Sequence, residues 1–137
     1  MTLVDTSAWV EYLRGTESGA HRSVRKLLEG AAPVHTTDVV IMEVLAGARD
    51  DAHEWQLRRL LARCDHLPVG GLATYEAAAA LYRACRLAGE TVRALTDCLI
   101  AAVALRDGVT VLHHDRDFDV LARYAGVEAH RTLPDRP

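Results

Sequence analysis

Short apolar runs alternate with longer stretches of helical periodicity along the whole chain. Leu3 and Val4 form a first β-run ending at Asp5; Thr6 or Ser7 can cap the helix that follows, where Trp9, Val10 and Leu13 recur at helical spacing. After a break at Gly15 to Gly19, Val24, Leu27 and Leu28 stripe a second helix that stops at Gly30. Val34 to Thr36 predicts a second strand. Thr37 or Asp38 then caps a helix over Val39 to Ala46 that Gly47 ends. Its residues are apolar nearly all round, which predicts burial, and Glu43 is the exception. Asp50 and Asp51 open an amphipathic helix carrying Leu57, Leu60, Leu61 and Cys64 on one side.

The second half repeats this alternation. His66 to Val69 predicts a third strand, Tyr75 to Ala88 an alanine-rich helix closed by Gly89, and Glu90 to Arg93 a polar link. Thr96 is the expected cap of a helix from about Asp97 to Arg106. Val109 to Leu112 is the clearest strand, β-branched and unpunctuated as a strand covered on both faces should be. A polar turn, His113 to Asp119, leads to a helix with Val120, Leu121 and Tyr124 that ends at Gly126. Val127 to Ala129 reads as a weak fifth strand at an edge, and Pro134 to Pro137 as a frayed tail. Strands separated by helices throughout imply a mainly parallel sheet of about five strands with helices on both faces.

The length, 137 residues, fits a single domain over 1–137 that buries its core without disulfides or a structural metal. No apolar run approaches a membrane span, and Asp5 and Glu11 interrupt any secretory leader, so a cytoplasmic protein is expected. Cys64, Cys85 and Cys98 have no paired spacing and read as small hydrophobes in a reducing compartment. Lys26 is the sole lysine, and the arginine fork suits phosphate and carboxylate recognition, although genome base composition gives the same bias. Net charge is −3, which argues against holding nucleic acid by bulk electrostatics.

The acids change that picture. Asp5 ends the first strand, Asp97 starts the helix before the fourth, and Asp115 ends the fourth, so all three lie at the carboxyl edge of a parallel sheet, where ligands bind. Alone, Asp5 is equally a helix cap. Glu43 supplies a fourth acid among apolar neighbours, unless an arginine pairs with it. Crowded carboxylates repel unless a cation compensates, and Mg²⁺, with Mn²⁺ as substitute, suits an oxygen-only donor set. One such ion lifts the formal charge from −3 to −1 and makes an RNA-repelling cleft an accepting one. Metal held by carboxylates supports in-line displacement at a phosphodiester.

Val4-Asp5-Thr6-Ser7, the helix centred on Glu43, Thr91-Val92-Arg93 followed by Thr96-Asp97-Cys98-Leu99-Ile100-Ala101, and Asp115-Arg116-Asp117-Phe118 together resemble a PIN-domain ribonuclease of the VapC toxin type. The resemblance spans essentially the whole chain. It implies an α/β fold of three layers, α/β/α, with metal-dependent endoribonuclease activity, an antitoxin partner that blocks the cleft, and a homodimer of toxins. Carried onto this chain, it implies that Asp5, Glu43, Asp97 and Asp115 form the catalytic acidic set, with Asp5, Asp97 and Asp115 on the metal and Asp117 accessory. Thr6 or Ser7 orients a water at the metal, or only caps the helix. Arg93 is a candidate for the scissile phosphate, for an antitoxin carboxylate, or for a plain surface position. Trp9, Tyr12 and Trp55 are candidates for the antitoxin contact or for core packing. His113 and His114 read as structural, and Asp119 as helix-start charge. Two other readings remain: a non-catalytic partner-binding domain, and an aspartate-nucleophile phosphatase, which lacks its second acid because Ser7 stands there.

Overall fold

The computed structural model describes residues 1–137. Its elements follow the predicted alternation: β1 (Thr2–Val4), α1 (Thr6–Arg14), α2 (Gly19–Glu29), β2 (Val34–Thr37), α3 (Asp38–Ala46), α4 (Asp51–Leu61), β3 (Asp65–Leu67), α5 (Leu72–Leu87), α6 (Leu95–Asp107), β4 (Thr110–Leu112) and α7 (Arg116–Ala125). All strand pairings are parallel and the order is β3-β2-β1-β4. The chain steps outward from β1 through β2 to β3, then returns across the sheet to β4 on the other side of β1. Right-handed crossovers put the connections of those two directions on opposite faces. Accordingly α1 packs on both α2 and α3, α3 packs on α4, and α5, α6 and α7 form a second group. The reversal makes the carboxyl ends of β1 and β4 the natural crevice.

Strands β1, β2 and β4 are largely buried, whereas β3 at the edge exposes Asp65 and His66. Leu3, Val4, Val111 and Leu112 are fully enclosed. The all-round burial expected of α3 belongs instead to α6, where Asp97 to Ala104 are buried without a break. That helix packs on α5, α7 and α3 and against β4 of the sheet. By contrast α3 sits at the flank, with Met42 59% exposed and Ile41 and Leu45 half-buried beside Leu61 of α4 and Cys64 of the turn after it.

Three further expectations change. The fifth strand reduces to a single bridge, Val111 to Ala129, held by Val111 N–H to Glu128 O at 2.9 Å and His130 N–H to Val111 O at 2.8 Å. It does lie at the edge, beyond β4. The third strand ends at Leu67, since Pro68 has no N–H to continue the ladder. Finally, the C-terminal tail is strapped down over the start of α2. Leu133 N–H donates to Ser23 Oγ (2.8 Å), Gly19 N–H to Asp135 Oδ1 (2.5 Å), and the Arg22 guanidinium to Pro134 O. This crossing requires glycine, because a Cβ at Gly19 would lie 1.8 Å from the Leu133 carbonyl oxygen. Gly19→Ala is expected to lift the strap at a cost of about 1–3 kcal/mol, read as lost hydrogen-exchange protection at the Leu133 amide.

No helix is long and apolar enough to cross a membrane. Cys85 and Cys98 are buried and Cys64 half-buried, all as free thiols, and burial pushes Cys64 up to about 11 and Cys98 up to about 12.

Candidate active site

Asp5 leaves β1 in extended conformation and becomes the cap of α1, its Oδ2 accepting the Ser7 N–H at 3.0 Å. The helix-cap reading of this residue therefore holds, and the cap stands at the carboxyl end of β1. Ser7 Oγ donates to the same oxygen at 2.5 Å and accepts the His114 N–H at 2.9 Å, while Asp5 N–H donates to Leu112 O at 2.9 Å. The ends of β1 and β4 are thus stitched together through Ser7. Asp5 Oδ1 is buried and has no hydrogen-bond partner. Burial raises the Asp5 pKa most, the Ser7 hydrogen bonds oppose it, and Asp115 adds repulsion.

On the other side of the crevice, Asp115 caps α7 by accepting the Asp117 N–H at 2.8 Å. Its own N–H donates to His113 Nδ1 at 3.3 Å, and the His113 ring stacks on Phe118 with centroids 5.3 Å apart. Burial depresses the His113 pKa, so the ring is neutral and serves to brace the loop. His114 likewise has a structural role, through its backbone bond to Ser7 and a 3.5 Å contact with Glu11.

Asp97, Asp115 and Asp117 present carboxylate oxygens that all lie within 4.8 Å of one another. Burial first, then the neighbouring Asp117, Asp5 and Asp115, pushes the Asp97 pKa up to about 9. Asp117 is opposite in sign: burial works against its charge, but hydrogen bonds from Asp97, the Arg93 guanidinium and two backbone N–H groups outweigh it and hold the pKa low. The pair shares one proton, held on Asp97.

Thr96 is not the cap of α6. The helix starts at Leu95, and Asp117 reaches over from α7 to accept the Arg93 N–H (3.1 Å) and the Ala94 N–H (3.2 Å). Asp117, read from sequence as accessory, is thus the residue that fixes the start of the helix carrying Asp97. Nothing in local sequence signals a cap supplied from twenty-odd residues downstream.

Glu43 sits at the rim rather than deep in a buried helix. No arginine pairs with it; Thr6 Oγ1 donates to its Oε1 at 3.0 Å. Burial raises its pKa, the Thr6 bond lowers it, and Asp5 raises it further. Thr6 and Ser7 thereby each hold one acid. Arg93 bridges two: Nη2 to Asp115 Oδ1 at 2.9 Å and Nε to Asp117 Oδ1 at 3.2 Å. Asp119 is exposed and 3.8 Å from His113 Nε2, which fits a helix-start charge. Of the candidate contact aromatics, Trp9 is fully buried core, Tyr12 is half-buried against it, and Trp55 is 59% exposed.

The crevice therefore gathers five acids from four separate stretches, with one guanidinium among them. Sequence comparison matches residues 2–124 to the PIN domain. The chain is 49% identical over 130 residues to Ribonuclease VapC11 of Mycobacterium tuberculosis, covering 94% of this chain and 97% of that one. It is 30% identical over 132 residues to Ribonuclease VapC51 of the same species, with 96% and 93% covered. Its backbone is similar to that of VapBC2 from Rickettsia felis, solved with a promoter DNA fragment, at a TM-score of 0.73 and 12% identity, covering 96% and 98%. A similar fold occurs in Mycobacterium tuberculosis VapC20, a sarcin-ricin loop cleaving toxin, at a TM-score of 0.62 and 19% identity, covering 93% and 99%. The fold, the acidic edge and the extent of these matches together make the chain a member of the PIN domain family, among its VapC ribonucleases.

Proposed function

We propose that this chain is the endoribonuclease toxin of a toxin–antitoxin pair and hydrolyses RNA phosphodiester bonds at the crevice between β1 and β4, with Mg²⁺ held by Asp5, Asp97 and Asp115 and Mn²⁺ able to replace it. The observation that carries this reading is the buried, unpartnered Asp5 Oδ1 beside a carboxylate cluster in which burial and the neighbouring acids push the Asp97 pKa up. An orphaned anionic oxygen is costly in a metal-free protein and becomes a ligand when a hard cation enters. The donor set fits such an ion, since it is all oxygen and His113 is engaged elsewhere.

When bound there, a divalent cation supplies Lewis-acid stabilisation for charge developing on the phosphodiester and lowers the pKa of water. The chain's own groups do the rest. Ser7 fixes the rotamer of Asp5, Thr6 fixes Glu43 at the rim, and Asp117 sets the position from which Asp97 enters. Glu43 is a carboxylate of raised pKa at the mouth and is suited to exchanging a proton with the attacking water. One dication brings the net charge from −3 to −1 and favours approach of RNA.

A protein partner fits the apolar groove of Ile41, Leu45, Leu61 and Cys64 between α3 and the end of α4, two helices that also expose Met42 and Trp55. The solved relative from Rickettsia felis is itself a VapBC complex. By the same family logic we assign a cognate antitoxin as that partner, and a homodimer as the toxin's own state.

The test is cleavage of end-labelled RNA by antitoxin-free protein with Mg²⁺, Mn²⁺ or chelator, beside Asp5→Asn. The expected result is discrete cutting with either ion, none with chelator and none from the variant. A folded wild-type protein that cuts nothing in either ion would refute it.

A further inference from the structure

The acidic cluster contains a cation of its own. Arg93 is 62% exposed along its side chain, yet its fork is spent on Asp115, 31% exposed, and Asp117, 2% exposed. Asp115 Oδ1 takes Arg93 Nη2 at 2.9 Å and the Asp117 N–H at 2.8 Å, so one of the two oxygens of this proposed metal ligand already carries two donors. Both partners of Arg93 belong to the trio whose oxygens lie within 4.8 Å of one another. A guanidinium and a divalent ion therefore compete for the same carboxylates.

The loop is built so that the side chain can leave without disturbing the backbone. Asp117 holds this segment through the Arg93 and Ala94 N–H groups, at 3.1 and 3.2 Å, and neither bond uses the guanidinium. Arg93 lies in the turn before α6, outside any helix or strand, and its exposed stem has solvent to swing into.

Resting on the metal-dependent reading above, we propose that Arg93 is the built-in counter-ion of the metal-free site, and that loading a divalent cation displaces its guanidinium from Asp115. The exchange keeps the three acids neutralised in both states. It also makes metal affinity weaker than the carboxylates alone would give, because each loading event breaks a charge-assisted pair and brings a second cation close to the first. Arg93 is thus a positioning residue that sets the metal concentration at which the site fills.

The experiment measures Mn²⁺ binding without RNA, by electron paramagnetic resonance of the free ion at low ionic strength, for wild type, Arg93→Ala and Arg93→Lys. Arg93→Ala is expected to bind Mn²⁺ about five- to tenfold more tightly. Its metal-free melting temperature should fall, and its gain in melting temperature on adding Mn²⁺ should exceed that of wild type. Arg93→Lys, which keeps the charge but loses the fork, should bind with an affinity between the two. Equal or weaker Mn²⁺ binding by a folded Arg93→Ala would overturn the proposal. If wild type binds Mn²⁺ and cuts RNA while Arg93→Ala binds no more tightly, only the counter-ion role falls. If wild type neither binds Mn²⁺ nor cuts RNA, the metal-dependent reading falls and takes this proposal with it.

Discussion

Asp97→Asn is expected to lose at least about a hundredfold in RNA cleavage while becoming more stable in metal-free buffer. The two effects share one cause. In the metal-free protein Asp97 keeps its proton up to about pH 9, because burial and the acids around it disfavour the charge. Unfolding releases the group to an ordinary carboxylate value of 3.8. Between those limits the folded state binds more protons than the unfolded state, so this group's contribution to stability falls as pH rises. Asn needs no proton to stay neutral, and its amide can still donate to Asp117. The stability advantage of the variant should therefore grow with pH, by at most about 3 kcal/mol between pH 6 and pH 8. Asp117, held low by its donors, contributes in the opposite sense, and its share is lost only as pH drops below 3.8. Urea unfolding of wild type and variant at both pH values, with chelator, checks the slope. A variant less stable than wild type at pH 8 would show that Asp97 holds the fold rather than a cation.

The second large effect is expected at Trp9. It is fully buried, edge-on to Tyr12 at 6.0 Å, and its N–H donates to the carbonyl of Asp5 at 3.1 Å, so it anchors the turn of α1 on which Asp5 and Ser7 are mounted. Trp9→Ala should cost about 3–5 kcal/mol and bring loss of cleavage with it. Trp9→Phe is the informative companion. The indole N–H is buried with no partner, so replacing it removes an unpaid desolvation cost at the same time as it leaves a smaller void. Its net loss should be no more than about 1 kcal/mol, with cleavage kept. Chemical denaturation of the two variants, with cleavage assayed under native conditions, separates the outcomes.

Most of the architecture was legible from the alternation of short β-branched runs with helical stripes, because β1, β2 and β4 are largely buried and the crossover helices show their buried sides as periodicity. The acids at the strand ends could be placed on one edge by topology alone. What stayed hidden depends on contacts between distant segments. Thr96 has the right chemistry for a cap, but Asp117 supplies the cap from α7. The apolar run of α3 looked more buried than that of α6, whereas its flank position exposes Met42. The tail from Pro134 reads as loose, and only the missing Cβ at Gly19 lets it close on α2. Arg93 was visible as a basic residue in a polar link, but nothing near it in sequence marks Asp115 and Asp117 as its partners.

The strand order has one more consequence, in the time it takes to make the chain. Asp5 leaves the ribosome before every other acid of the crevice, whereas Asp115 and Asp117 come with β4 and α7, more than a hundred residues later. β4 closes the sheet beside β1, and Ser7 accepts its bond from His114 only after β4 has docked. At about 5–20 residues per second, several seconds separate the first acid of the crevice from its last. A chain interrupted before residue 115 carries Asp5, Glu43 and Asp97 but neither Asp115 nor Asp117. Docking of β4 and α7 is thus the earliest moment at which the crevice is whole.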